Sequence, residues 1–471
     1  MKRTKIVCTI GPATEDVELV EEMIKAGMNV ARINFSHGTS EEHIRQIWTV
    51  REASDRTGVP VAVLQDLCGP KIRTGEVSTG QVRLRPGAEF VLTSRDVPGD
   101  ERGVSVSYEG LPGDVKSGDT ILLADGKIVL KVRKTTETDV VCEVVVGGEL
   151  SSHKGINVPE VSLSVPSITD KDLRDLVLGL EHGVDWVAVS FVRSPQDIRG
   201  IRDEIRRLGK EAPIIAKIEK HEALNAIDEI LEEADGAMVA RGDLGVEIPL
   251  EDVPLTQKGI IRKANEHGKP VITATQMLLS MVESPKPTRA EVTDIANAIF
   301  DGTDAVMLSE ETAVGKYPLE AIRMMAEVAQ RAEEGIDYIA QLQARKITEE
   351  PDVPDAISHA ACHIALNIGA RAIICCTHSG QTARLVAKYR PHAPIIAVTP
   401  TEEVHRMLTL FWGIYPIRIE EPPDTDTLIE RAKKAALRSG LVSRGDRVVI
   451  VAGVPVGIPG ATNLIKADML K

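Results

Sequence analysis

Between residues 185 and 310 the chain spells DWVAVSF (185–191), APIIAKIE (212–219), DGAMVAR (235–241), KPVITAT (269–275) and DAVMLSE (304–310). Each is a short apolar run that ends at or beside a polar residue, and a helical pattern follows each one. Toward the N-terminus the same alternation appears in KIVCTI (5–10), NVARINF (29–35) and VAVLQDL (61–67). Three units before and five after make eight. Eight β/α units predict a (β/α)8 TIM barrel.

The alternation is interrupted once. From about Gly75 to Val165 the texture is strand and turn, as in QVRLRPGAEFVLTS, TILLADGKIVLKVRK and DVVCEVVVGG. Val, Thr and Gly dominate there, which predicts a small β-barrel domain inserted after the third strand. Ser167 and Asp170 are spaced like a capping pair where the chain re-enters the barrel. A charged stretch, ARKITEEPDVPD (344–355), reads as a linker. Beyond it AISHAACHIALNIG, ARAIICCTH, SGQTARLVAKY, APIIAVT and RVVIVAG alternate again, predicting an open α/β domain. The expected division is a barrel over 1–73 and 166–343, an insert over 74–165 and a C-terminal domain over 344–471.

With 471 residues, several cores are expected. The net charge is −14, unfavourable for non-specific binding to nucleic acid or an anionic membrane, so neither is expected as a partner. Anionic substrates would need a local cluster of cations. The N-terminus, MKRTKIVCTIGP, has no apolar h-region, and no apolar run approaches the length of a membrane span. Six cysteines with no CxxC pair fit a reducing cytoplasm.

Barrel enzymes carry their chemistry at the C-terminal ends of strands. Here those ends hold Arg32, Asn34, Ser36 and His37; Asp66; Ser190 and Phe191; Lys217 and Glu219; Arg241, Gly242 and Asp243; Thr275 and Gln276; Ser309 and Glu310. Side chains alternate faces along a strand. Arg32, Asn34 and Ser36 therefore share a face, and so do Lys217 and Glu219. One reading is a structural ion pair between Lys217 and Glu219, although buried pairs are costly to desolvate. The other is a metal beside a phosphoryl site. Glu219 and Asp243 are hard oxygen donors suited to Mg²⁺ or Mn²⁺. With Arg32 and Lys217 such an ion would stabilise the charge of a transferring phosphoryl group. There is no Walker A motif, kinase Gly-rich loop or HEXXH, and GVPVGIPG (453–460) does not match GxGxxG.

IIAKIEKHEAL, MNVARINFSHG, MVARGDLGVEIP, VITATQMLLSM, PTRAEVTDIANAIFDGTDAVMLSEETAVGKYP and KGINV together resemble the blocks of the pyruvate kinase family. The resemblance spans essentially the whole chain. It implies transfer of a phosphoryl group from phosphoenolpyruvate to ADP, giving pyruvate and ATP in glycolysis. By position it implies that Lys217 stabilises the phosphoryl group and the developing enolate, and that Arg32 contacts the phosphoryl group. Glu219 and Asp243 would hold the divalent metal. Gly242, Asp243 and Thr275 would bind the substrate carboxylate, with Thr275 near the site of protonation. Asn34, His37, Arg73 and Lys154 would bind the nucleotide, although His37 also reads as an ordinary surface histidine. The β insert would act as a lid, with Asp125 a candidate contact on closure.

One segment departs from the pattern. Many family members need K⁺ and carry a stretch resembling DTKGPEIRTG. Here it is DLCGPKIRTG (66–75), with Leu67 in place of Thr and Lys71 in place of Glu. The Lys71 ammonium would stand in for the ion, so K⁺ is expected not to be required. Asn34, Ser36 and Asp66 would mark a vestigial cation region. In the C-terminal domain THSGQT (377–382) leads into a helix. Thr377, Ser379, Gly380 and Thr382 would form an anion site for a sugar-phosphate or nucleotide effector, and an ordinary helix N-cap explains the same residues. A homotetramer is implied by resemblance alone. Two other readings exist: a Schiff-base aldolase or lyase working through Lys217, and a metabolite sensor without catalysis.

Overall fold

Strands that are apolar on both faces need cover on both sides. The computed structural model, which describes residues 2–159, 161–345, 347, 352–457 and 460–471, supplies it with a closed barrel. The eight parallel strands are Lys5–Ile10, Val30–Asn34, Ala62–Asp66, Trp186–Val189, Ile214–Ile218, Gly236–Ala240, Val271–Ala274 and Ala305–Leu308. The last pairs with the first, Lys5 opposite Ala305, and closes the ring.

Parity sorts the barrel into two cores. Ile33, Phe35, Val63, Val187, Ala216, Ile218 and Val239 pack outward against the helices. Val30, Leu64, Trp186, Ala188, Ile215, Met238, Ile272 and Met307 fill the interior. Lys217 and Arg32 alternate with the outward set, so they point inward above this plug, at the end where the strands finish.

The insert leaves after Asp66 and returns before the helix Asp170–Glu181. It was expected as a small β barrel. It is rich in sheet, but its hydrogen bonds form an open six-stranded sheet and a separate ribbon of Gln81–Leu84 with Gly148–Ser151. One core unites them, with Leu84 and Leu150 from the ribbon beside Phe90, Leu92 and Leu130 from the sheet.

The re-entry cap lies two residues later than expected. Thr169, not Ser167, accepts from the Asp172 amide, and Asp172 accepts from Thr169 in return. Ser167 instead bonds Asp197. PSITDKD contains both S-x-x-D and T-x-x-D, and spacing alone does not choose between them.

The C-terminal unit is a five-stranded sheet ordered Ile414–Arg418, Ile395–Thr399, Ala372–Cys376, Arg447–Gly453 and Thr462–Met469. Four strands are parallel and the last is antiparallel. The two edge strands were not foreseen. Of the expected linker, Lys346 and residues 348–351 lie outside the described residues, as do Ile458 and Pro459 of the 453–460 run. The C-terminal unit closes the lower end of the barrel. Trp186 donates its indole N–H to the Met407 carbonyl, and the Lys5 ammonium donates to the Ile414 carbonyl at 2.5 Å. No helix among the described residues is long and apolar enough to cross a membrane.

Candidate active site

At the C-terminal mouth of the barrel, Asp66 is the hub of the charge network. It ends the third strand and is 1% exposed. One carboxylate oxygen meets Arg32 Nε at 2.6 Å and the other meets Lys217 Nζ at 3.1 Å. Burial opposes its charge, but Lys217 and Arg32 outweigh that and hold its carboxyl below the usual range. Lys217 also lies 3.0 Å from Glu219 Oε1 and donates to Ser190 Oγ at 2.6 Å. Burial alone would favour the neutral amine; Asp66 and Glu219 outweigh it and hold the ammonium. A Schiff-base nucleophile needs the opposite, a neutral amine.

Arg32 is oriented from a second side by Thr9, whose Oγ1 accepts from Nη1 at 3.0 Å. Glu219 is 1% exposed and accepts from the Phe191 amide at 2.9 Å. Burial raises its carboxyl to about 7; Lys217 lowers it and the nearby Asp243 charge raises it. Two carboxylates from neighbouring strand ends therefore press on each other. Among the described residues no cluster of three or more His, Cys, Asp or Glu side chains is arranged to hold a metal. Two carboxylates with room for substrate oxygens and water is the donor set that Mg²⁺ commonly takes, so Glu219 and Asp243 fit that ion.

The seventh strand ends in strain. Thr275 and Gln276 both have left-handed backbone, with φ of 71° and 55°. That region is unfavourable for a β-branched residue. Arg241 fixes the turn by donating to the Ala274 and Thr275 carbonyls at 3.1 and 2.7 Å, and is itself held by Asp294 at 2.7 Å. Arg241 thus acts as a clamp under the site. The turn carries Thr275 Oγ1 to 2.9 Å from the Gly242 amide, bringing the expected carboxylate-binding groups together. Phe191 is left-handed as well, at 56°. Gly69, with φ of 67°, passes so close that a Cβ would lie 2.8 Å from the Phe191 ring, so glycine is required where the chain leaves for the insert.

Of the expected nucleotide residues, Arg73 and Lys154 sit at the root of the insert, while Asn34 ends the second barrel strand and His37 follows it. Arg73 bridges to Gly155, the Lys154 carbonyl accepts from the Thr74 amide, and the Lys154 amide donates to Thr74 Oγ1. Arg73 also donates to the His153 carbonyl at 3.2 Å. His37 is exposed, and its carbonyl accepts from His43 at 2.7 Å. Partial desolvation and then the charges of Arg73, Lys71, Arg32 and Lys171 lower the His37 pKa. The local cluster of cations demanded by the acidic background is therefore present.

The expected monovalent-cation region is partly engaged by protein groups. Asp66 is bound to two cations as above, and the Asn34 side-chain carbonyl accepts from the Ser36 amide at 3.2 Å. Leu67 brings no side-chain oxygen to this region. Its side chain lies in the helix-facing core, and only its carbonyl reaches inward, accepting from Ser190 Oγ at 2.7 Å. Lys71 is half-buried, its Cε 3.3 Å from where a Gly155 Cβ would be.

In the C-terminal unit a cleft is lined by Thr377, His378, Ser379, Thr382, Glu421 and Thr462. Thr377 Oγ1 accepts from the Gly380 amide at 2.9 Å, and Thr382 bonds Thr462 at 2.7 Å.

Sequence reasoning passed over Thr9, which parity from Arg32's neighbouring strand could have found. It named Ser190 without a role. It also missed the Lys220–Glu247 pair, whose Nζ and Oε1 lie 2.6 Å apart beneath the insert.

The chain matches the pyruvate kinase barrel domain over residues 1–322 and the pyruvate kinase alpha/beta domain over residues 355–467. It is 50% identical to pyruvate kinase of Geobacillus stearothermophilus over 472 residues, covering 100% of this chain and 80% of that one. It is 48% identical to pyruvate kinase of Clostridium acetobutylicum over 473 residues, covering all of both. A crystal structure of a pyruvate kinase from Cryptosporidium parvum superposes with a TM-score of 0.94 at 38% identity, covering 100% of this chain and 96% of that one. The geometry of the barrel mouth and these full-length similarities agree: the chain belongs to the pyruvate kinase family.

Proposed function

We propose a division of labour at the barrel mouth for the reaction of this family, in which the phosphoryl group of phosphoenolpyruvate passes to ADP to give pyruvate and ATP. The observation that carries it is the Lys217 ammonium, held charged between Asp66 and Glu219 at 3.1 and 3.0 Å. Phosphoryl transfer is mostly positioning and fixed electrostatics. Lys217 and Arg32 face the transferring group and the developing enolate, and Asp66 keeps both cations aimed. The Gly242 and Asp243 amides and the Thr275 hydroxyl receive the substrate carboxylate. Thr275 stands beside the enolate carbon, where a water carries the proton. A divalent ion, Mg²⁺ or Mn²⁺, held by Glu219 and Asp243 neutralises charge on the substrate oxygens when bound. Asn34, His37, Arg73 and Lys154 bind the nucleotide phosphates, and the insert closes to exclude water.

Lys71 supplies a fixed ammonium where other members use K⁺. Its place beside Gly155, and its contribution to the positive field at His37, support this. A sugar phosphate or nucleotide monophosphate is the effector class for Thr377, Ser379, Gly380 and Thr382, with Glu421 disfavouring a second anionic group on that wall. Leu250 and Leu255, 73% and 71% exposed, offer apolar surface for a homotetramer. The six unpaired thiols suit a cytoplasmic enzyme.

A coupled assay of ATP formation from phosphoenolpyruvate and ADP tests the reading. Activity is expected to need Mg²⁺ and to be the same in tetraalkylammonium chloride as in KCl. Strong stimulation by K⁺ would refute the role given to Lys71, and no ATP formation would refute the whole.

A further inference from the structure

One point where the insert touches the barrel is Asn157. This residue lies on the insert strand Ile156–Asn157, which pairs with Leu122 and Leu123 and follows Lys154 by three residues. Its side-chain amide donates to Glu247 Oε1 at 3.2 Å, and Lys220 Nζ reaches the same oxygen at 2.6 Å. Glu247 is buried, yet its second oxygen has no hydrogen-bond partner among the described residues.

The placement of the two barrel residues matters. Lys220 directly follows Glu219. Glu247 follows Asp243 by four residues, one turn along the helix Arg241–Glu247. The carboxylate that holds the insert is thus joined to both segments that carry the metal-binding carboxylates. On its returning side the insert is held by two charged donors, where Arg193 donates to the Leu163 and Val165 carbonyls at 2.6 and 2.8 Å. Asn157 supplies only one neutral N–H and can release.

We propose that Asn157, Glu247 and Lys220 form a latch that couples closure of the lid to occupancy of the metal-binding carboxylates; this rests on the reading of Glu219 and Asp243 as metal ligands. A metal that settles Glu219 and Asp243 fixes the two segments bearing Lys220 and Glu247. The acceptor for Asn157 is then immobile, and the strand carrying Lys154 is held down over the nucleotide site. Asn157 acts as a positioning residue.

Hydrogen exchange of the full-length enzyme with and without Mn²⁺ tests it. In the unaltered chain Mn²⁺ slows amide exchange across residues 154–157. In Asn157→Ala that protection is lost, and kcat/KM for phosphoenolpyruvate falls about tenfold, the scale of one hydrogen bond to a charged acceptor. Glu247→Gln keeps an acceptor oxygen for Asn157 but weakens the link to Lys220, so it retains part of the protection. This second variant reports even if the first folds poorly. Protection in Asn157→Ala equal to that of the unaltered chain overturns the latch. So does an unaltered chain whose lid ignores Mn²⁺ while it still forms ATP. Failure to form ATP at all overturns instead the functional reading beneath it.

Discussion

Glu219 answers to three neighbours at once. Burial raises its carboxyl from 4.5 to about 7, Lys217 draws it down, and Asp243 pushes it up again. The folded carboxyl keeps its proton to a higher pH than the unfolded one. In the metal-free protein this group therefore lowers stability as pH climbs from about 4.5 toward 7. In the proposed metal site only the deprotonated form can serve as a ligand, so below about 7 a proton would compete with the ion. Mn²⁺ affinity, followed by electron paramagnetic resonance of the free ion, is expected to weaken about tenfold per pH unit below 7 and to level off above about 8. An affinity flat across that range would remove Glu219 from the ligand set. Parity along IIAKIE was enough to put Lys217 and Glu219 on one face. That segment alone does not show that Asp66, Thr9 and Ser190 complete the network, because they arrive from three other strands, brought to it when the barrel closes.

At the scale of elements, the eight barrel strands were legible because each is mostly apolar and largely buried on both faces. The edge strands Ile414–Arg418 and Thr462–Met469 were not, because half-exposed edges admit Lys, Asp and Pro and blur the alternation. Backbone conformation at strand ends was also hidden. Nothing in VITATQM signals that Thr275 turns left-handed, since Arg241, 34 residues earlier, enforces it. That strain offers a test. Thr275→Gly relieves the backbone and removes the hydroxyl, whereas Thr275→Ala removes the hydroxyl and keeps the strain. Urea unfolding is expected to place the glycine variant about 1 kcal/mol above the alanine variant in stability. Both should lose at least about tenfold in kcat/KM. A glycine variant no more stable than the alanine one would show that the turn is unstrained.

The whole molecule is joined through a buried ion pair beneath the barrel. Arg390 Nη2 lies 2.8 Å from Asp304 Oδ2 and also donates to Asn265 and to the Gly302 carbonyl. Asp304 in turn accepts from the Val271 amide of the seventh strand and from the Trp412 amide of the C-terminal unit. One carboxylate thus binds two barrel strands to the domain that carries the cleft lined by Thr377, Ser379 and Thr382. It directly precedes Ala305–Leu308, the strand that closes the ring. Replacing Arg390 with Met keeps most of the volume and leaves Asp304 a buried, undercompensated charge. Loss of one partner of such a pair costs about 3–5 kcal/mol. The damage falls on the seam, because each side retains its own core. Calorimetry is therefore expected to show one transition for the unaltered chain and two for Arg390→Met. The C-terminal sheet should melt first, and the barrel near its original temperature. A single transition lowered as a whole would mean that the seam is held chiefly by the apolar contacts of Trp186, Phe411 and Leu408 rather than by this charge.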